Sequence, residues 1–155
     1  MYRLSRNCEA SIVDYITAQL IVDGWNGVRV EKSFAEVYKG KLPCININVS
    51  DRPDIRRELG SDTLSKYINI DIRIFATSDG MRLDLADWMI EKIIAGVSYY
   101  VYTIVNGAVS TKVLKGRINF LKITENRKEL RVTDNVVEQD RYRQLISFNC
   151  RVALT

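Results

Sequence analysis

The apolar residues of this chain change period several times, and each change marks an element. From about Ser5 to Asp23, Leu4, Cys8, Ile12, Ile16 and Leu20 recur every fourth residue, with Val13 and Ile21 widening the stripe. That spacing gives a helix one apolar side. Ser5 or Asn7 can cap its start, and Gly24 stands where a left-handed stop is wanted. Beyond it the period falls to two. Val28 and Val30 alternate with charged neighbours, and Phe34 and Val37 are expected to continue that strand or a bulged extension of it. From Pro43 to Ser50, Ile45, Ile47 and Val49 face one way and Cys44, Asn46 and Asn48 the other. After the polar stretch Asp51 to Asp62, with Pro53 and Gly60, the alternation returns. Leu64, Ile68, Ile70, Ile72 and Ile74 share one face, with Lys66 near the tip, and Ser65, Asn69, Asp71 and Arg73 take the other. Two strands around a charged connection predict a long hairpin that projects from the core.

Ser78-Asp79-Gly80 opens a second helix, where Ser78 can cap and Asp79 favours the positive end of the dipole. Met81, Leu85, Trp88, Met89 and Ile93 make its buried stripe, and Gly96 ends it. Strands are then expected over Tyr99–Val105, Ala108–Leu114 and Arg117–Thr124, the first two joined by the hairpin turn Asn106-Gly107. A charged loop from Glu125 to Asp140 precedes a long last strand, Arg141 to Leu154. Tyr142, Ile146, Phe148, Cys150, Val152 and Leu154 point inward there, and Arg141, Arg143, Ser147, Asn149 and Arg151 outward. The order predicts one α+β domain over residues 1–155: an antiparallel or mixed sheet, two helices packed on one face, and a projecting hairpin.

Composition narrows the chemistry. The 155 residues include no histidine, which removes Ser-His-Asp and Cys-His arrangements and the usual nitrogen ligand for zinc. Cys8, Cys44 and Cys150 are widely spaced within apolar segments, as expected of reduced core thiols. Neither G-x-G-x-x-G nor G-x-x-x-x-G-K-[ST] occurs. No apolar run approaches the roughly 18 residues of a membrane span, and no apolar segment of a secretory signal follows the basic N-terminus. One enzyme pattern deserves weighing: Pro53-Asp54 ahead of Asn69, Asp71 and Arg73 loosely matches a magnesium-dependent nuclease. Asp54 falls in a loop, however, and Arg73 stands where a lysine belongs. A solvated strand face explains Asp71. Neither a catalytic residue nor a cofactor or metal is therefore expected.

Charge is distributed unevenly. The net charge is +4, but residues 101–155 carry ten basic and five acidic residues, against seven and nine over 51–100. Asp84, Asp87 and Glu91 lie at i, i+3 and i+7 on the second helix. A solvated face or a divalent-metal row would both account for them. A third reading is that this acidic stripe meets a basic surface on the next copy, head to tail. Arg52, Arg56 and Arg57 in the first loop, and Arg127, Lys128 and Arg131 in the second, are interspersed with acids, which suits loops ordered against partner subunits better than a one-signed nucleic-acid surface. With Arg141, these arginines and the three helix carboxylates are the candidate interface residues.

The order of elements resembles the tail terminator (tail-completion, head–tail joining) proteins of long-tailed bacteriophages. The likeness runs through the N-terminal helix ending at Gly24, the Val28-Arg29-Val30 strand, and the hairpin from Pro43-Cys44-Ile45-Asn46-Ile47 to Tyr67-Ile68-Asn69-Ile70-Asp71-Ile72. It continues through the helix Leu83 to Ile94 and the closing strands. The resemblance implies a structural virion protein, made in the host bacterial cytoplasm, whose copies form a ring, commonly a hexamer, on the tail tube. It implies contacts with the tube protein, a neck or head-completion protein and a sheath protein, and DNA passing the lumen without sequence readout. The alternatives are another neck or tail-associated subunit, or a DNA-binding or metal-dependent nuclease domain.

Overall fold

The computed structural model describes residues 3–56, 64–129 and 141–155. Helix α1 (Leu4–Val22) forms where the fourfold repeat lies, and Leu4, Cys8, Ile12, Ile16 and Leu20 are buried along it. It ends in a Schellman turn. Trp25 N–H donates to the Leu20 carbonyl at 2.9 Å and Gly24 N–H to Ile21 at 3.3 Å, which Gly24 permits at φ 77°. The start differs from expectation: Arg3, not Ser5 or Asn7, occupies the cap position, without a side-chain cap. Asn7 and Ser11 are buried and serve elsewhere, as described below.

Strand β1 (Arg29–Glu31) pairs parallel with β2 (Cys44–Asp51), Arg29 opposite Cys44. A parallel pair needs a crossover rather than a continuing strand. Phe34 and Val37 accordingly lie in the short helix α2 (Phe34–Val37), where the sequence suggested strand. Val37 packs with Leu42, Cys44 and Phe75, so α2 covers a corner of the sheet face that carries Cys44 and Phe75.

β2 pairs antiparallel with β5 (Tyr67–Phe75), and the short pair β3 (Ile55–Arg56) and β4 (Leu64–Ser65) lies between them in sequence. The tip of that expected hairpin lies outside the described residues. After α3 (Asp79–Ile93) come β6 (Val97–Val105), β7 (Ala108–Lys128) and β8 (Arg143–Leu154). The strands form one mixed six-stranded sheet in the order β1-β2-β5-β8-β7-β6, and with three helices the architecture is α+β. Ile47, Ile72 and Ile146 stand side by side across β2, β5 and β8. The buried stripes of α1 and α3 join them in one apolar cluster. Among the described residues no helix is long and apolar enough to cross a membrane.

Two details of the closing strands depart from the sequence reading. β7 is a single 21-residue strand rather than two, and it includes Glu125–Lys128, which were expected in the charged loop. Its interruption at Lys115-Gly116 is a bulge. There the backbones press so close that a side-chain carbon on Gly116 would overlap the Ala153 carbonyl oxygen. Across this point β7 changes partner, pairing with β6 up to Ile118 and with β8 from Gly116 onward. The outer edge of β6 is not bare either. Tyr100 N–H donates to Ser11 Oγ at 3.0 Å and Tyr102 N–H to Asn7 Oδ1 at 3.4 Å, so α1 side chains satisfy it.

α1 and α3 are also clasped at one end. Asp23, just past α1, accepts from Trp88 Nε1 at 2.8 Å and pairs with Lys92 at 2.7 Å. The bonds from Lys92 and Trp88 hold its carboxyl below the ordinary 3.8. Such a group stabilises the fold above its ordinary value and ceases to as pH falls through its own lower value. Tryptophan emission of the native protein should therefore show a titration step below pH 3.8 that Asp23→Asn abolishes; an identical step in the variant would assign it elsewhere. Gly116→Ala should destabilise by about 1–3 kcal/mol through overpacking, read from urea unfolding. A change near zero would mean the β7–β8 approach relaxes freely.

Candidate assembly interface

Helix α3 starts on a formed cap, with Ser78 Oγ accepting from Met81 N–H at 3.2 Å. Its orientation is then fixed by a buried arginine. Arg82 Nε bonds Asp79 at 3.0 Å, its Nη1 bonds Gln144 Oε1 on β8, and Gln144 passes the link to Asn126 on β7 at 2.7 Å. Arg82 bonds in the described structure keep the inner face turned to the sheet. Asp84, Asp87 and Glu91 consequently stand exposed on the outer face, and no ion pair among the described residues engages them.

At 100° per residue, Leu83, Ile90 and Ile94 form a second stripe beside the acids. Leu83 and Ile94 are exposed. Ile90 and Ile94 face β7 across a cleft of about 240 Å³, floored by Phe120 and Phe148 and rimmed by Leu121, Lys122 and Ile123. β6 begins only at Val97, opposite Ile118, so residues 119–128 of β7 carry no described strand on this side. Bulges at Leu121 and Thr124 bend that edge. Arg117 donates to the Ala95 carbonyl and ties the α3–β6 connection to β7.

On its other side the same strand meets β8 only from Gly116 onward. Residues 108–114 bond β6, while β8 reaches only to Gly116 opposite Leu154, with Thr155 N–H on the Lys115 carbonyl at 2.9 Å. Val109, Val113 and Leu114 are exposed here. From Val97 to Thr124 the chain holds no acidic residue, and Lys112, Lys115, Arg117 and Lys122 are basic.

The other candidate residues do not gather into one patch. Arg52 pairs with Asp54 at 2.8 Å and is partly buried. Arg56 belongs to β3, and Arg57 and Arg131 lie outside the described residues. Arg127 is exposed and pairs with Glu125 at 3.5 Å, and Arg141 is exposed just ahead of β8. Tyr67, beside the Arg52 loop, registers with Arg151, while Arg127 registers with Leu145. Six residues of strand, ~20 Å, separate the two groups.

No protein-family model matches the chain, and no curated protein matches it.

The nuclease-like residues are held in other bonds. Asp54 Oδ1 accepts from Tyr67 N–H at 3.2 Å, and Asp71 accepts from Ser147 Oγ at 2.7 Å. Among the described residues no three cysteines or carboxylates cluster as a metal site. On the face opposite the main core, Arg73 and Arg143 flank Glu129, and Arg143 stacks over Phe75 at 4.9 Å and over Phe34 of α2 at 5.4 Å, which pins α2. This group and the Arg82–Gln144 link escape sequence reading because a lone arginine in a helix or strand looks solvated. The cleft had one legible sign, the doublet Phe120-Leu121 that breaks the alternation of β7.

All three cysteines are buried, and burial pushes the Cys8 thiol up to about 12 and the Cys44 thiol up to about 11. Burial raises Cys150 as well. The native protein at pH 8 should give no reaction with a thiol reagent, and denaturation should release three reactive groups. Any fast-reacting thiol in the native state would contradict the burial.

Proposed function

We propose that this chain is a structural virion subunit whose copies associate head to tail into a ring, commonly of six, that terminates a phage tail tube and joins it to the neck. In this reading the two long helices cover one face of the sheet and the β2–β5 hairpin projects from it. The ring meets the tube protein on one side and neck and sheath proteins on others, and DNA passes the lumen without sequence readout. One observation supports the assembly above the rest. The chain displays exposed groups of opposite sign on different elements, the stripe Asp84, Asp87 and Glu91 on α3 and the lysines Lys112 and Lys115 on β7. Two different patches on one subunit make heterologous contacts, which close into rings when the rotation allows.

Light scattering and electron microscopy across concentrations test this directly: a closed ring with a central hole is expected, and a monomer at every concentration argues against self-assembly. Reversing Asp84, Asp87 and Glu91 to lysine should lose the ring at physiological salt while circular dichroism stays native, since all three are exposed. Rings that persist in the triple variant would remove α3 from the interface.

A further inference from the structure

A recess of about 200 Å³ lies between the first turns of α1 and the tip of the β6–β7 hairpin. Arg3 and Arg6 at the start of α1, and Lys32 just after β1, bring three cations into its lining. We infer that this recess receives the outer face of α3 from a second copy, with Asp84, Asp87 and Glu91 seated against Arg3, Arg6 and Lys32. This deepens the ring reading and rests on it for the number of copies.

The charges on every element around the recess favour an acidic occupant. Asp14 is the one acid among its lining residues, and its carboxylate accepts the Tyr102 hydroxyl at 2.7 Å. The first turn of α1 carries no acid to offset the positive end of its dipole. Glu9 of α1 accepts from Val49 N–H at 3.1 Å, and Glu31 of β1 pairs with Arg29 at 3.1 Å, so both are engaged elsewhere. β6 and β7 contribute no acid between Val97 and Thr124. The β7 lysines lie outside the lining, and Lys112 already has the Tyr100 ring beneath it at 4.7 Å. Arg3, Arg6 and Lys32 are all exposed, as a docking surface needs.

Helix α3 matches the recess in form as well as in sign. Asp84, Asp87 and Glu91 occupy one exposed face ~10 Å long, and no ion pair among the described residues engages them. The recess runs along α1 from Arg3 to Asp14, ~16 Å, which is long enough to take that face. A single chain cannot make this contact with itself. Asp23, at the far end of α1, is clasped to Trp88 and Lys92 of α3, and the length of α1 from Arg6 to Asp23 is ~25 Å. Each copy therefore offers α3 to one neighbour and its recess to the other, a heterologous contact that repeats around a ring.

Cross-linking reads the contact on the unmodified chain. A carbodiimide joins a lysine amine to a carboxylate it touches, and Lys92 with Asp23, 2.7 Å apart, provides an internal control. In a mixture of isotopically light and heavy chains, mass spectrometry should find Lys32 of one joined to Asp84, Asp87 or Glu91 of the other. Absence of that link while the control link forms overturns the inference. Charge reversal tests it independently. A recess variant, Arg6→Glu with Lys32→Glu, should not associate alone, and neither should the α3 variant Asp84→Lys, Asp87→Lys, Glu91→Lys. Mixed in equal amounts they should assemble again, because each recess then meets an α3 of opposite sign. All five positions are exposed, and circular dichroism checks the fold of each variant. Association of the recess variant by itself, or none in the mixture where the unmodified chain associates, overturns the contact. Salt-sensitive binding of duplex DNA that the recess variant loses, with no link between copies, would assign the recess to phosphate instead. Rings without the Lys32 link leave the ring reading standing and refute this contact. The link without rings keeps the contact and refutes the ring.

Discussion

Side chains alternate along a strand, so the register of β2, β5 and β8 decides which residues enter the core, and nearly everything else depends on it. Ile45, Ile47, Ile68, Ile70, Ile72, Ile74 and Ile146 are all buried, and each contributes roughly 1.5–3 kcal/mol on leaving water. A slip of one residue in β5 would exchange four of them for Asn69, Asp71, Arg73 and either Tyr67 or Phe75. The opposite face enforces the same register with specific bonds, Asn149 to Asn69 at 2.9 Å and Ser147 to Asp71 at 2.7 Å. Because both faces agree, the three central strands form a rigid platform, and Gln144 at the start of β8 is held where Arg82 can find it. The direction of α3, and so the exposure of its acids, follows from that meeting.

A sheet fixed so firmly must still dispose of its edges, which otherwise invite foreign strands. β1 is only three residues long. The edge of β6 is occupied by Asn7 and Ser11, two polar residues buried in an otherwise apolar helix stripe for this purpose. Among the described residues β7 outruns both neighbours: β6 covers its first half and β8 its second. The Gly116 crossing makes this geometry possible. With a side chain there, the close approach of Ala153 would be lost, and with it the exchange of partner from β6 to β8.

Helix α1 and the strands β2 and β5 were legible in the sequence because their periods run over many residues, and the exposed acids of α3 followed from helix arithmetic alone. α2 was not legible, since four residues cannot display a helical period and Phe34 and Val37 look equally at home in a strand. β7 was divided in two because Lys115-Gly116 reads as a break, whereas the chain uses the glycine for a close passage. The groups Asp84, Asp87 and Glu91 were found and the cleft beside them was missed for one reason. The stripe is a property of a single element, while the cleft exists only because β6 starts at Val97 and stops covering β7 there. Arginines gathered from loops by charge alone fared differently, since strand register puts Arg52 and Arg127 toward opposite ends of β8.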